Sequence, residues 1–172
     1  DIVYKHEIQM KQAGLSADDR PVIAAALAKK NATGAPAAAI ELPDGRIVTG
    51  KTSNLLGATS AMLMNALKAL AGIDDSLNLI SPAIIEPIQK LKIDYLGNHN
   101  PRLHTDELLI ALSVCAVTSP AAERATEQLA RLRGCEAHST VILSQVDENV
   151  LKKLGVNVTY EPVYQTKKLH HK

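Results

Sequence analysis

The sequence predicts a three-layer α/β/α domain with a short helical lead-in. Three observations point to it. Short apolar or β-branched runs alternate with longer stretches whose apolar residues recur at helical spacing. Turn and cap residues fall at the joints between them. The chain has 172 residues, 46% of them apolar, enough for one core. The implied partition is the tail of an upstream helical region over residues 1–15 and a single α/β domain over residues 16–172.

The lead-in carries mixed charges and ends near Gly14. Ser16 opens a new helix, with Asp18 and Asp19 near its positive end and Pro21 in its first turn. Lys29 and Lys30 suit its negative end, and residues 31–34 stop it. Residues 37–42 form a buried strand. Pro43-Asp44-Gly45 is a turn, because Pro fixes φ while Asp and Gly tolerate positive φ. Residues 46–49 return as the second strand of a hairpin. Residues 54–71 read as a helix whose Leu63, Leu67 and Leu70 share a face, with Gly72 as its terminating glycine. Residues 78–80 read as a third strand ending at Ser81-Pro82. Residues 84–91 form a short helix that tolerates Pro87 only in its early turns. Residues 94–104 form a polar loop. Thr105 caps a helix running to Val117, and Ser119-Pro120 opens another that ends at Gly134. Residues 135–143 form a β-branched strand. Ser144 caps a short helix with Asp147 at its third position, Gly155 closes it, and residues 156–160 are the last strand.

Composition narrows the function classes. Nineteen Lys and Arg face 18 Asp and Glu, a net charge of +1, so no global field favours nucleic acid or an anionic membrane. The chain has no Phe or Trp and four Tyr, which also argues against stacking on nucleic-acid bases. No apolar run is long enough to span a bilayer. Two cysteines make no disulfide framework, and no secretory signal opens the chain, so a cytoplasmic location is expected. The chain starts Asp1-Ile2-Val3 without Met, as expected of a processed chain or a piece of a longer one.

Three motifs carry candidate chemistry. Residues 45–52 match G-x-x-x-x-G-K-[ST], in which Gly50, Lys51 and Thr52 would hold phosphate. A cradle must curl, however, and Arg46-Ile47-Val48-Thr49 prefers to extend. The hairpin strand is the favoured reading. Cys135 and His138, with His99 and His104, are zinc-ligand types, yet the first two are three apart on a strand and face opposite ways. No metal is expected. The loop His99, Asn100, Arg102 and His104 is the best binding surface, since it gathers donors ahead of a helix N-terminus. The competing reading is a polar connection whose Asn residues make turns. Glu136, His138, Ser139 and Thr140 form a polar cluster on a strand expected to be central, where such groups pin the core or line a pocket.

Longer segments carry a resemblance. PAAAIELPDGRIVTGKTSNLLGA, LISPAIIEPIQKLK, LGNHNPRLHTDE, RGCEAHSTVILSQVDENV and EPVYQTKKL together resemble the C-terminal part of an uncharacterised bacterial family, the domain of unknown function eighteen-forty-six. The similarity runs over most of the chain from about Gly14. Members of that family are much longer, and their Gly-rich phosphate-loop-like segment belongs to the upstream region. The resemblance therefore implies the upstream domain of the parent chain as a partner, and it brings no reaction.

A more remote similarity concerns the cytidine deaminase fold, which opens on a hairpin and a helix of this kind. There the helix bears His or Cys followed by Ala-Glu, and a later Pro-Cys-x-x-Cys completes a zinc site. Here the places read Ser60-Ala61-Met62 and Ser81-Pro82-Ala83-Ile84-Ile85-Glu86. The similarity thus implies the fold without zinc and without deamination.

The expectation is an accessory domain of a larger bacterial protein, one wall of a ligand site or an assembly module. No cofactor is expected, and apolar helix faces beyond the needs of one sheet point to a homo-oligomer or to the upstream domain. The alternative is an enzyme site for a small anionic or phosphorylated molecule. It would be built from His99, Asn100, Arg102 and His104 with Glu136 and His138.

Overall fold

A computed structural model describes residues 20–164. The lead-in over residues 1–15, the helix start at Ser16 to Asp19 and the polar C-terminal tail lie outside the described residues.

Helix α1, Pro21–Thr33, starts with Pro21 in its first turn, where a missing N–H costs nothing. Its Val22 and Ala26 pack on Ala39. Strands β1, Ala37–Glu41, and β2, Ile47–Lys51, form an antiparallel hairpin in which Ala39 faces Thr49. The Asp44 carboxylate accepts from Arg46 N at 3.0 Å and so closes the turn. Gly50 lies within β2. A Cβ there would sit 2.1 Å from the backbone nitrogen of Met62, so the next helix rests its backbone directly on this strand. Residues 45–52 are thus a turn and an extended strand rather than a curled phosphate cradle.

Helix α2, Ala58–Ala71, buries Met62, Leu63, Ala66 and Leu67 and ends at Gly72 with φ +70°. It starts four residues later than expected because Ser53 Oγ caps the amides of Leu55 and Leu56, and Leu56 then bridges to Leu103. Residues 78–80 are not a strand. Leu79 and Ile80 reach the core from a turn, and the described sheet pairs only four other strands. Helix α3, Pro82–Lys90, begins with Pro82 in its first turn, so Pro87 falls in its interior. It runs on into a π-helical turn, Leu91–Tyr95.

Helix α4, Thr105–Cys115, has His104 rather than Thr105 at its N-cap. Helix α5, Pro120–Thr126, is capped by Ser119 Oγ, and a 3₁₀ turn, Leu129–Leu132, follows it in place of a continuous helix to Gly134. Strand β3 spans only Glu136–Ser139. The Ser139 hydroxyl donates to Val141 O at 2.7 Å, and this local turn lifts the chain off the sheet. Helix α6, Gln145–Lys153, is capped by Ser144 Oγ at 3.1 Å from Asp147 N, and strand β4 is Asn157–Tyr160.

The sheet order is β2-β1-β3-β4, with β3 and β4 parallel and the other pairs antiparallel. Strand alternation sends Ala38 and Ile40 into the main core beneath α2, while Ala39 faces α1. The protein is therefore an α/β domain with helices on both faces of its sheet. No helix among the described residues is long and apolar enough to cross a membrane.

Candidate functional site

Three helix N-termini meet, and the chain ties them to a single carboxylate. Asp147 of α6 accepts through Oδ1 from Thr105 N at 2.9 Å and from Thr105 Oγ1 at 2.7 Å. Its Oδ2 accepts from Thr59 Oγ1 of α2 at 3.4 Å. An acidic group is favoured there, because unpaired N–H groups give each helix start a partial positive charge. Asp147 is buried, so removing it would strand three donors.

Beside this pin lies a pocket of about 330 Å³, whose wall includes Ala58, Thr59, Asn100, Arg102, His104 and Asp147. Residues 98–104 are held against the start of α2 by backbone bonds. Leu103 N donates to Leu55 O at 2.9 Å, and Ser60 Oγ donates to Leu103 O at 2.9 Å. The Asn100 side chain accepts from Arg102 N at 3.0 Å, which is the turn role open to an Asn in a loop. Arg102 is 3% exposed, and its Nε donates to Ser53 O. Burial lowers the Arg102 guanidinium from its ordinary value, yet arginine stays charged.

His104 is backed by Glu107. Glu107 Oε1 accepts from His104 N at 2.8 Å and lies 3.4 Å from His104 Nδ1. It also accepts from Lys92 Nζ at 2.7 Å, and Lys92 donates further to Arg102 O at 2.6 Å. The hydrogen bond to Glu107 raises His104 above its ordinary value, against the opposing pull of burial. Burial pushes Glu107 upward, but the bonds from His104 and Lys92 outweigh it and bring the carboxyl down to about 2. The result is a pocket wall that holds the Arg102 guanidinium and the His104 imidazole, with the buried Lys92 and the part-buried Glu107 paired behind them.

The structure brings Asn100, Arg102 and His104 together and leaves the other expected residues elsewhere. His99 is exposed on the loop. Glu136 and His138 lie on the opposite face of the sheet, since His138 pairs with Ala39, which faces α1. There Glu136 Oε1 is 2.8 Å from Arg20 Nη2. His138 is 2% exposed, with Nδ1 at 2.7 Å from Thr159 Oγ1 and Nε2 at 2.6 Å from Glu161 Oε2. Gly50 and Lys51 are in β2, and Thr52 follows directly.

Sequence reasoning missed Lys92, because a lysine on an amphipathic helix normally points to water. It placed Asp147 at the third position of the helix that Ser144 caps, where it stands, and missed the two threonines that its carboxylate holds. Thr105 one step after a loop histidine was the available signal for a cross-link to a neighbouring helix.

Among known proteins, the family model described as Domain of unknown function DUF1846, C-terminal, matches residues 18–170. A UPF0371 protein of Corynebacterium efficiens is 61% identical over 165 residues, covering 96% of this chain and 33% of the relative. A UPF0371 protein of Corynebacterium glutamicum is 59% identical over the same length, with the same coverage. One from Streptococcus pyogenes is 54% identical over 170 residues, covering 99% of this chain and 34% of the relative. The chain spans about a third of the length of the curated relatives it matches.

Proposed function

The chain belongs to the DUF1846 family, matching its C-terminal domain, and from that premise we propose that it forms one wall of a binding site for a small anion inside a larger protein. The observation that carries this reading is the pocket flanked by Arg102 and His104. A phosphate or carboxylate placed there meets a buried guanidinium, an imidazole whose protonated form Glu107 favours, and the start of α2. Asp147 already balances part of the positive charge of the helix starts, so the cationic side chains supply the attraction. The remaining walls belong to the rest of the parent protein, in keeping with a chain that covers a third of its relatives.

Zinc has no part in this reading. At the place where a deaminase helix carries its ligand stands Ser60, whose hydroxyl is committed to Leu103 O. The hairpin β1–β2 followed by α2 supports a distant likeness to the deaminase fold. A second reading, an enzyme acting on the bound anion, draws on one feature: His104 backed by Glu107 has the makings of a proton donor near neutral pH.

The test is thermal unfolding of the full-length protein with inorganic phosphate, phosphorylated sugars and dicarboxylates. At least one ligand raises Tm by several degrees, and His104→Gln and Arg102→Lys each remove most of that rise. A melting point blind to all of them, or a rise untouched by both substitutions, contradicts the proposal.

A further inference from the structure

Residues 82–96 stand apart from the rest of the domain. Helix α3 and the π-helical turn after it pack on one another, and neither packs broadly on any other described element. Four side chains root the segment. Ile85 is buried, Ile88 packs partly buried against the core, Gln89 Nε2 donates to Asn54 O at 2.8 Å, and Lys92 reaches Arg102 O and Glu107. The rest of the arm is open, with Glu86, Lys90 and Asp94 set among apolar side chains. Ile84, Leu91, Ile93, Tyr95 and Leu96 are 39–74% exposed within thirteen residues. Single exposed apolar residues need no explanation, but a cluster of this density marks a surface meant to be covered.

We propose that this arm docks onto the part of the parent protein that lies outside this chain. Two observations choose that occupant. First, the relatives are about three times as long as this chain, and its family model is the C-terminal one, so a large neighbour on the same polypeptide is at hand. Second, the open apolar surface of the five side chains is on the order of 500 Å². Contacts between domains of one chain commonly bury about 300–750 Å² on each side. The arm is of the size that such a contact uses.

The docking surface and the pocket share Lys92. Its ammonium holds the Arg102 carbonyl and the Glu107 carboxylate, which in turn backs His104. A neighbour that fixes the arm therefore also fixes the pocket wall. The docking surface stands on its own observations and does not require that the pocket bind an anion.

The test places the photo-cross-linker benzoylphenylalanine at position 95 of the full-length protein, where Tyr95 is 74% exposed and the change does not threaten the core. After irradiation, the expected product has the mass of one chain, and its cross-linked peptide comes from outside residues 1–172. A product of doubled mass identifies a second copy and overturns the proposal. So does the absence of any cross-link, or one confined to residues 1–172. As a second readout, Leu91→Asp with Leu96→Asp in the full-length protein should raise the rate of protease cleavage between the two regions at least tenfold. An unchanged rate also overturns it.

Discussion

Two centres of the molecule use nearly the same residue types and stand in different circumstances. One has Arg102, His104, Glu107, Asp147 and two threonines where the helix starts meet. The other has Arg20, Glu136, His138, Thr159 and Glu161 on the face toward α1. In the second centre the groups form one continuous chain. His138 Nε2 lies 2.6 Å from Glu161 Oε2 and Nδ1 lies 2.7 Å from the Thr159 hydroxyl, whose oxygen accepts from Arg20 Nη1 at 2.5 Å. Its histidine is 2% exposed. In the first centre the His104 side chain is 30% exposed and borders a pocket, while its carboxylate is set behind it. Residue type alone therefore does not mark a site. The face of the sheet on which the residues stand, and what covers them, decides whether they hold the fold together or are offered to a ligand.

The comparison breaks most visibly at Asp147, the one member of the pocket centre assigned to stability. Asp147→Ala leaves the Thr105 amide and hydroxyl and the Thr59 hydroxyl without their partner, at a cost on the order of 3 kcal/mol. Denaturant unfolding measures it, and a loss below about 1 kcal/mol would remove Asp147 from its role as the tie among three helices.

His138→Ala should come next. It opens a small cavity and strands Glu161 beside it, a loss of about 2 kcal/mol by the same measurement. The response to anions should not change. If it disappears while the protein remains folded, the division between the two centres is wrong.

Acid titration gives an effect that belongs to the pocket centre and that solvent screening reduces. The Glu107 carboxyl is held at about 2 against an ordinary 4.5. The unfolded chain binds the proton first, so the stabilisation is complete above about pH 4.5 and is lost as pH falls toward 2. It amounts to about 3 kcal/mol at most, reduced by the partial exposure of the group. Glu107→Gln should flatten the stability curve in that window and, because it removes the bond that raises His104, also reduce the loss of stability as pH rises through neutrality. A curve that keeps its acid limb in the variant assigns the limb to other carboxylates.

Much of this architecture was legible because local chemistry and tertiary packing agree. The hairpin at Pro43-Asp44-Gly45, the Gly72 terminus, the Ser119-Pro120 start and the Ser144 cap with Asp147 at its third position all form as their residue types dictate. Residues 78–80 deceived because a short apolar run states only that it is buried, and here a turn buries it. The pocket was half legible. A loop rich in donors ahead of a helix pointed to Asn100, Arg102 and His104, whereas Glu136 and His138 were joined to it without the sheet's geometry. Strand pairing sends them to the other face, and a single sequence does not state which face a helix will cover. Lys92 was invisible because burying a lysine requires two partners that lie 10 and 15 residues away.

The central claim is that the pocket at the helix starts, and not the centre around His138, receives an anion. Histidine ring resonances of the full-length protein, assigned with His104→Gln and His138→Gln, can be followed as inorganic phosphate is titrated at constant ionic strength. The account predicts a saturable shift of the His104 signal with the His138 signal still. A stationary His104, or both histidines moving together, would contradict it.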